Sequence, residues 1–438
     1  MSEQGLPPER LLRTPTTIDE LGIPRTLIED IFMRRLLAER QSMLYALCES
    51  IGLTIAVGRD IADDLREKKL VEYFALEGRD YRIGLTEAGI KQAHDASAST
   101  QYSSYLPVPL KQYVTVVEAQ KAVLQINREN IRAAFADLVV EDSMLDALGP
   151  AFMNDGAIFL YGPPGTGKTS LAERMIKIHK DQVLVPRVVE VDSAIISVFD
   201  PAVHTAAEEQ PHGLDPRWVV CDRPLVIVGG ELSPNMVDLS LDTVSGVYSA
   251  PIQMLANNGI LVVDDFGRQQ ITPNELMNRW IVPLARGIDY LKLANGTKFT
   301  LPFELKLIAS TNLDPNALGD DAFLRRLRNK VFVGPVTPNA FNWILARVAK
   351  AKGIEVSGES AQHLKSIAER EIGELRPYLA IDFCDLMIGI CTYEGIPRVL
   401  DKPMIDRVAG VYFVNEEDGA ATAAGSASLA ADKVPASV

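Results

Sequence analysis

Cysteine is scarce in this chain: four in 438 residues, Cys48, Cys221, Cys384 and Cys391, with no Cys-x-x-Cys spacing. That argues against a structural zinc site and for reduced thiols. There is no run of the roughly 18 apolar residues that a membrane helix requires, because Asp, Arg or Pro interrupts the stretches around Val219–Val228 and Ile260–Val263. The opening, MSEQGLPPER, has neither the basic nor the apolar block of an export signal. A cytoplasmic protein without membrane insertion is expected. Positive charge is also in short supply, since 44 Lys and Arg face 58 Asp and Glu for a net −14. A generic polyanion binder would have the opposite balance.

What is present is a globular composition, 47% hydrophobic and 23% charged, and a length that implies two or three domains. Residues 1–24 contain Pro7, Pro8, Pro15 and Pro24 and read as a flexible leader, with one helical turn at Ile18–Leu21. In 25–96, Leu27, Ile31, Leu36, Leu37, Leu44 and Leu47 keep helical spacing, and a short helix is expected over Asp60–Lys69. Val71–Leu76 and Tyr81–Leu85 then flank a Gly78 turn, and Thr86 is placed to cap a closing helix. That order is winged-helix-like. Residues 97–129 read as a linker, opening on the Ser/Tyr/Pro-rich Ser97–Pro109, and a mainly helical stretch is expected over Val114–Leu148. The 130–335 segment alternates strands and helices as an α/β nucleotide-binding domain. Residues 336–415 are helical, and 416–438, without periodicity, form an expected disordered tail. No internal repeat is visible.

Gly162-Pro163-Pro164-Gly165-Thr166-Gly167-Lys168-Thr169, followed by Ser170, fits G-x-x-x-x-G-K-[ST]. It stands between an apolar strand, Ala157–Tyr161, and a helix expected over Lys168–Lys180, the context in which this motif binds phosphate. Glycines let successive backbone N–H groups face phosphate oxygens; Lys168 would reach the β/γ-phosphates and Thr169 would ligate Mg²⁺. Gly259-Ile-Leu-Val-Val-Asp264-Asp265 supplies the matching acidic strand end. Asp264 would hold the Mg²⁺ hydration shell and Asp265 would orient or deprotonate the attacking water. Asn312, after Leu305–Ala309, is placed to bond the γ-phosphate or that water.

With these motifs in order, residues from about 130 to 414 resemble the AAA+ ATPases. The resemblance implies an α/β P-loop core with a C-terminal helical lid, ATP and Mg²⁺ as ligands, and a homo-oligomeric ring, usually of six, with ATP between subunits. It implies an arginine finger as well, for which Arg326 aligns best and Arg325 second. The lid departs from the family pattern: Tyr378-Leu-Ala-Ile381-Asp382 has Ile381 where an arginine is common, and Arg376 would reach the phosphates from a shifted position. Asp265 stands where Glu is usual, a shorter reach consistent with slower hydrolysis.

Lys168 and Asp264 are 96 positions apart, and the excess lies in Ser193–Tyr248. Two strand-like runs there, within 217–230, read as an inserted hairpin around Asp222-Arg-Pro224. A second hairpin is expected over 288–302, around Asn295-Gly296. A hairpin ahead of the Asn312 strand is similar to the branch containing MoxR proteins and magnesium-chelatase subunits, which implies a chaperone-like remodeller of a protein client. The rival reading is a DNA-associated motor docking through the winged helix. Residues 1–100 hold 13 Lys and Arg against 17 Asp and Glu, so nucleic acid is not favoured, although Arg66, Lys68, Lys69, Arg79 and Arg82 are candidates for it. A slow nucleotide-gated switch is the third reading.

Overall fold

The computed structural model describes residues 12–121, 126–154, 156–315 and 327–413. The chain divides into two compact units. One comprises Met1–Ala134, Asp146–Tyr161 and Thr169–Val331, and the other Phe135–Leu145, Gly162–Lys168 and Phe332–Val438.

The first unit begins with α1 (Arg25–Glu39), β1 (Gln41–Met43), α2 (Leu44–Ile51), α3 (Ile55–Glu67), β2 (Val71–Glu77), β3 (Asp80–Leu85) and α4 (Glu87–Ser97). The strands form an antiparallel sheet in the order β1-β3-β2. Local chemistry sets the boundaries. Gly52 ends α2 in the left-handed region at φ 77°, and Thr54 then caps α3 by accepting from Val57 N. At Gly58 a Cβ would lie 2.0 Å from Cys48 Sγ, so glycine permits the close crossing of α2 and α3. Thr86 caps α4 through Gly89 N.

Next come β4 (Val108–Pro109), α5 (Leu110–Ala119), α6 (Arg128–Ala134), α7 (Asp142–Met153), β5 (Ile158–Tyr161) and α8 (Lys168–Arg174). The helix expected to reach Lys180 is α only to Arg174 and 3₁₀ over Met175–Ile178. Strands β6 (Gln182–Pro186), β7 (Val188–Val191), β8 (Ala194–Ser197), β9 (Trp218–Asp222), β10 (Leu225–Val228), β11 (Ser240–Asp242) and β12 (Val247–Ser249) precede α9 (Ile252–Leu255). The unit continues through β13 (Ile260–Val263), α10 (Pro273–Arg286), β14 (Ile288–Lys292), β15 (Lys298–Pro302), β16 (Lys306–Thr311) and β17 (Asn329–Phe332).

The central sheet runs β10-β13-β16-β5-β17, with β10, β13, β16 and β5 parallel. Its strands are continuous apolar runs such as Ile260–Val263, buried along their length, as expected for strands covered on both faces. A second five-stranded sheet has the order β11-β12-β8-β7-β4. The 288–302 hairpin forms, with Tyr290 opposite Thr300 and Lys292 opposite Lys298.

Three expectations need correction. The 217–230 stretch is not a hairpin: β9 pairs antiparallel with β6, and β10 is a strand of the central sheet beside β13. Its apolar pattern suits buried pairing with distant strands, and Pro224 sits between two strands that belong to different sheets. The 97–129 stretch is not merely a linker, because β4 pairs with β7 and α5 buries Tyr113, Val116 and Val117. The leader is not loose throughout, because Leu12, Leu21 and Ile23 are buried, while its expected helical turn forms as 3₁₀ at Asp19–Leu21. The tail from 414 on lies outside the described residues.

One buried ion pair joins these pieces. Arg217 and Asp215 are both fully buried, with Nη2 to Oδ2 at 2.8 Å and Nε to both carboxylate oxygens at 3.1 Å. Arg217 Nη1 donates to the carbonyls of Leu21 and Pro107, each at 3.2 Å. The N-terminal core is continuous with the second sheet, since Leu106, Val188 and Ile195 belong to the same cluster as Ile28, Leu47 and Ile61.

The second unit contains α11 (Pro338–Lys352), β18 (Glu355–Val356), α12 (Gly358–Glu371), α13 (Pro377–Glu394), β19 (Val399–Leu400) and α14 (Lys402–Tyr412). Thr337, Ser357 and Asp401 cap α11, α12 and α14 with side-chain oxygens. The helices close over Phe341, Leu345, Leu364, Leu379, Phe383, Met387 and Ile405. Among the described residues no helix is long and apolar enough to cross a membrane.

Arg217→Ala leaves the Asp215 carboxylate buried without its partner, so an unfolding free-energy loss of about 3–5 kcal/mol is expected. Chemical denaturation of the full chain measures it. A loss below about 1 kcal/mol, the scale of an exposed pair, would count against this reading.

Candidate functional site

The chain leaves β5 at Tyr161 and turns through Gly162, Gly165 and Gly167, at φ 146°, 76° and 92°. A Cβ at Gly162 would lie 2.2 Å from the Val333 carbonyl oxygen, and one at Gly165 2.0 Å from the Tyr378 ring. Glycine at 162 and 165 is therefore required both by backbone angle and by close approach. Thr166 is buried and its hydroxyl donates to the Pro163 carbonyl at 3.0 Å. Lys168 is also buried, with Nζ donating to the carbonyls of Gly162 (3.0 Å) and Pro163 (2.8 Å). The ammonium thus lies inside the loop's curve. Pro164, in the loop, and Ser170, in α8, are exposed.

Thr169 is in the first turn of α8, and its hydroxyl donates to Asp264 Oδ2 at 2.8 Å. The other carboxylate oxygen, Oδ1, accepts from the Ser310 hydroxyl. Asp264 terminates β13, Ser310 stands at the end of β16, and Thr169 follows β5, so the C-terminal ends of three parallel strands converge on one carboxylate. Among the described residues, no group of three or more His, Cys, Asp or Glu side chains could hold a metal by itself. A hydroxyl beside a carboxylate does suit Mg²⁺, a hard cation that keeps most of its ligands as water and substrate phosphate.

Asp265 is exposed and has φ 47°, an uncommon conformation for a residue with a side chain. Gln269 Nε2 holds the turn by donating to the carbonyls of Asp264 (2.7 Å) and Asp265 (3.1 Å). Phe266 N donates to Ser310 O at 2.7 Å, and the Thr311 hydroxyl to Phe266 O at 2.7 Å, so the turn is stitched to β16. This geometry sends the Asp265 side chain toward Asn312, whose Nδ2 donates to Asp265 Oδ1 at 3.2 Å. Asp264, Asp265, Asn312 and Thr169 are thus brought together. Ser310 and Gln269 are members that the motifs do not name. Ser310 could have been found as a second polar residue at the end of an otherwise apolar strand, whereas nothing local marks Gln269.

Arg376 stands at the N-terminus of α13. Its Nε donates to Glu374 Oε1 at 2.6 Å and its Nη1 to the Pro164 carbonyl at 3.3 Å. A guanidinium therefore touches the phosphate loop from the shifted position, while Ile381 is exposed on the same helix. Arg325 and Arg326 lie outside the described residues.

Comparison with known proteins finds one family, a domain of unknown function (DUF8689), which matches residues 337–410. No curated protein matches the chain. Among solved structures, the RuvB Holliday junction branch migration motor of Thermotoga maritima is similar at 14% identity and TM-score 0.35, covering 68% of this chain and 74% of that one. Two point mutants of that RuvB give 16% identity with TM-score 0.36 and 14% with 0.37, each covering 67% of this chain and 72% of the other. Superpositions at this level carry no argument about function.

Proposed function

We propose that this chain is an ATP-binding and ATP-hydrolysing AAA+ protein that works as a ring-forming remodeller of a protein client. The observation that carries the reading is the Thr169 hydroxyl on the Asp264 carboxylate. It ties the end of a glycine loop to an acidic strand end at the spot where a phosphate-bound cation would sit. Lys168 and Thr169 are chain neighbours, so the loop's phosphate and the cation belong to one ligand, Mg-ATP. Bound Mg²⁺ supplies Lewis-acid polarisation of the phosphate oxygens.

The chain's own groups then divide the work. Lys168 exchanges its two carbonyl partners for β- and γ-phosphate oxygens. Thr169 and Asp264 would hold the cation, and Ser310 fixes the carboxylate's orientation. Asp265, steered by Asn312 and by its left-handed backbone, orients or deprotonates the attacking water. Arg376, which donates to the Pro164 carbonyl, would reach the phosphates from its shifted position. Arg326, or Arg325, reaches the site of a neighbouring subunit as the resemblance implies.

Residues 25–96 are proposed to form a winged helix that docks protein rather than DNA. On α3 and at its C-terminal end the cations are used within the fold: Arg66 lies 5.0 Å over the Tyr73 ring, Tyr73 OH donates to Asp63, and Lys68 Nζ is held by both oxygens of Glu29 at 2.7 and 2.8 Å. Asp60, Asp63 and Glu67 share that helix's exposed face with Arg59 and Arg66. A phosphate backbone would meet as much negative as positive charge there.

Steady-state ATP turnover by the assembled protein tests the first reading. Lys168→Ala is expected to abolish turnover, and Asp265→Asn to lower it by about 10²-fold or more while nucleotide binding persists. An Asp265→Ala protein as fast as wild type would remove that residue from the chemistry, and a wild-type rate no higher than that of Lys168→Ala would favour the switch. For the docking reading, full-length protein is expected not to retain duplex DNA at physiological salt. Steeply salt-dependent retention that Arg79→Glu/Arg82→Glu abolishes would instead establish the DNA reading.

A further inference from the structure

We infer a second anion-binding site in the first unit, on the edge of the central sheet formed by the N-terminal ends of its strands. A cavity of about 910 Å³ lies there, at the upper end of the range of small-molecule sites. The carboxylate cluster is at the opposite, C-terminal edge of the same strands, so this is a different place. Five cationic side chains line the cavity, Lys121, Arg223, Arg286, Lys306 and Arg328, against two carboxylates, Glu118 and Glu304. In a chain of net charge −14, that local excess is of the opposite sign.

Two of these cations are already committed. Arg223 is buried and serves the Asp181 carboxylate and the carbonyls of Asn258 and Gln120, and Lys121 pairs with Glu304 at 3.0 Å. Lys306 starts β16, donates to the Asn154 carbonyl, and stands 5.6 Å from the Phe152 ring centroid. Arg286 and Arg328 are exposed and have no hydrogen-bond or ion-pair partner among the described residues. Arg286 ends α10, where a cation complements the helix's negative end. Arg328, immediately before β17, has no such local reason.

The sheet order fixes the spacing. Lys306 and Arg328 begin strands separated by β5, which sets them about 10 Å apart, with Arg286 approaching from the helix that covers the cavity. His179 also lines it, and its Nδ1 is buried without a hydrogen-bond partner. Burial, with the Arg223 charge second, pushes this imidazole down to about 4. It is therefore neutral at pH 7 and adds no repulsion toward a cation or attraction toward an anion. The ligand chemistry that fits is a small multivalent oxyanion, a phosphate ester or a polycarboxylate, held by guanidinium forks.

Isothermal titration of the full chain with pyrophosphate and with citrate tests this. Citrate is expected to bind wild type and Lys168→Ala with the same affinity, because the phosphate loop is not involved; pyrophosphate, which that loop also fits, is titrated into Lys168→Ala, with and without the arginine substitutions, so that only the second site is read. The Arg286→Gln/Arg328→Gln variant should bind about tenfold or more weakly, with an unchanged thermal unfolding midpoint and unchanged ATP turnover. Tighter pyrophosphate binding identifies a phosphate ester, and tighter citrate binding a polycarboxylate. No heat from either probe at millimolar concentration would overturn the inference. So would binding that disappears in Lys168→Ala or is indifferent to the arginine pair.

Discussion

The Asp264 carboxylate is the point on which the candidate site depends. A charge at the end of a wholly buried strand is costly unless its oxygens are bonded, and here each oxygen takes a hydroxyl, one from Thr169 and one from Ser310. Those two donors come from the segments after β5 and along β16, so the bonding of a single carboxylate constrains the register of three parallel strands. It also fixes where the chain must turn next. With Asp264 held on one side and Phe266 anchored to Ser310 and Thr311 on the other, Asp265 is left in the left-handed conformation and projects outward.

What the sequence makes visible is what depends on near neighbours. The glycine loop, the Thr86 cap and the Asn295-Gly296 turn are each determined by a few consecutive residues, and each takes the expected form. The 217–230 stretch is different because its partners are remote. Val219 pairs across to Val185 and Val226 to Leu261, and an apolar run with no alternation contains no information about which strand lies beside it. The 97–129 stretch opens on Ser, Tyr and Pro; the helical pattern from Val114 onward is legible, but the start of α5 at Leu110 is not, nor is its buried face, which is set by the second sheet. Ser310 and Gln269 escape notice for a similar reason: serine at a strand end and glutamine in a turn are ordinary until the carboxylate they serve is placed.

The 288–302 hairpin is locally specified but not locally free. At its base, Asp289 is fully buried, bonded by Arg279 and by Gln253. At its tip, Asn295 and Thr297 both donate to Asp192 in the turn between β7 and β8. Its inner face, Leu291, Leu293, Phe299 and Leu301, lies in the core of the second sheet. Only the outer face, with Tyr290, Lys292 and Lys298, is left to solvent. Any displacement of this hairpin therefore strains an aspartate network at its base and a sheet at its tip, which makes it a lever with two fixed bearings.

Arg217 imposes a limit on how this protein can be dissected. Its guanidinium is satisfied by Asp215 and by carbonyls at positions 21 and 107, in segments far apart in the chain. A fragment that starts after the N-terminal domain keeps the charge and loses the Leu21 acceptor, and the isolated domain loses a wall that includes Val188 and Ile195. The N-terminal domain is thus not a removable module in the way its sequence boundaries imply. Among the described residues, whatever it holds is held against the second sheet through a shared core, so a ligand or partner bound there presses directly on β7 and β8.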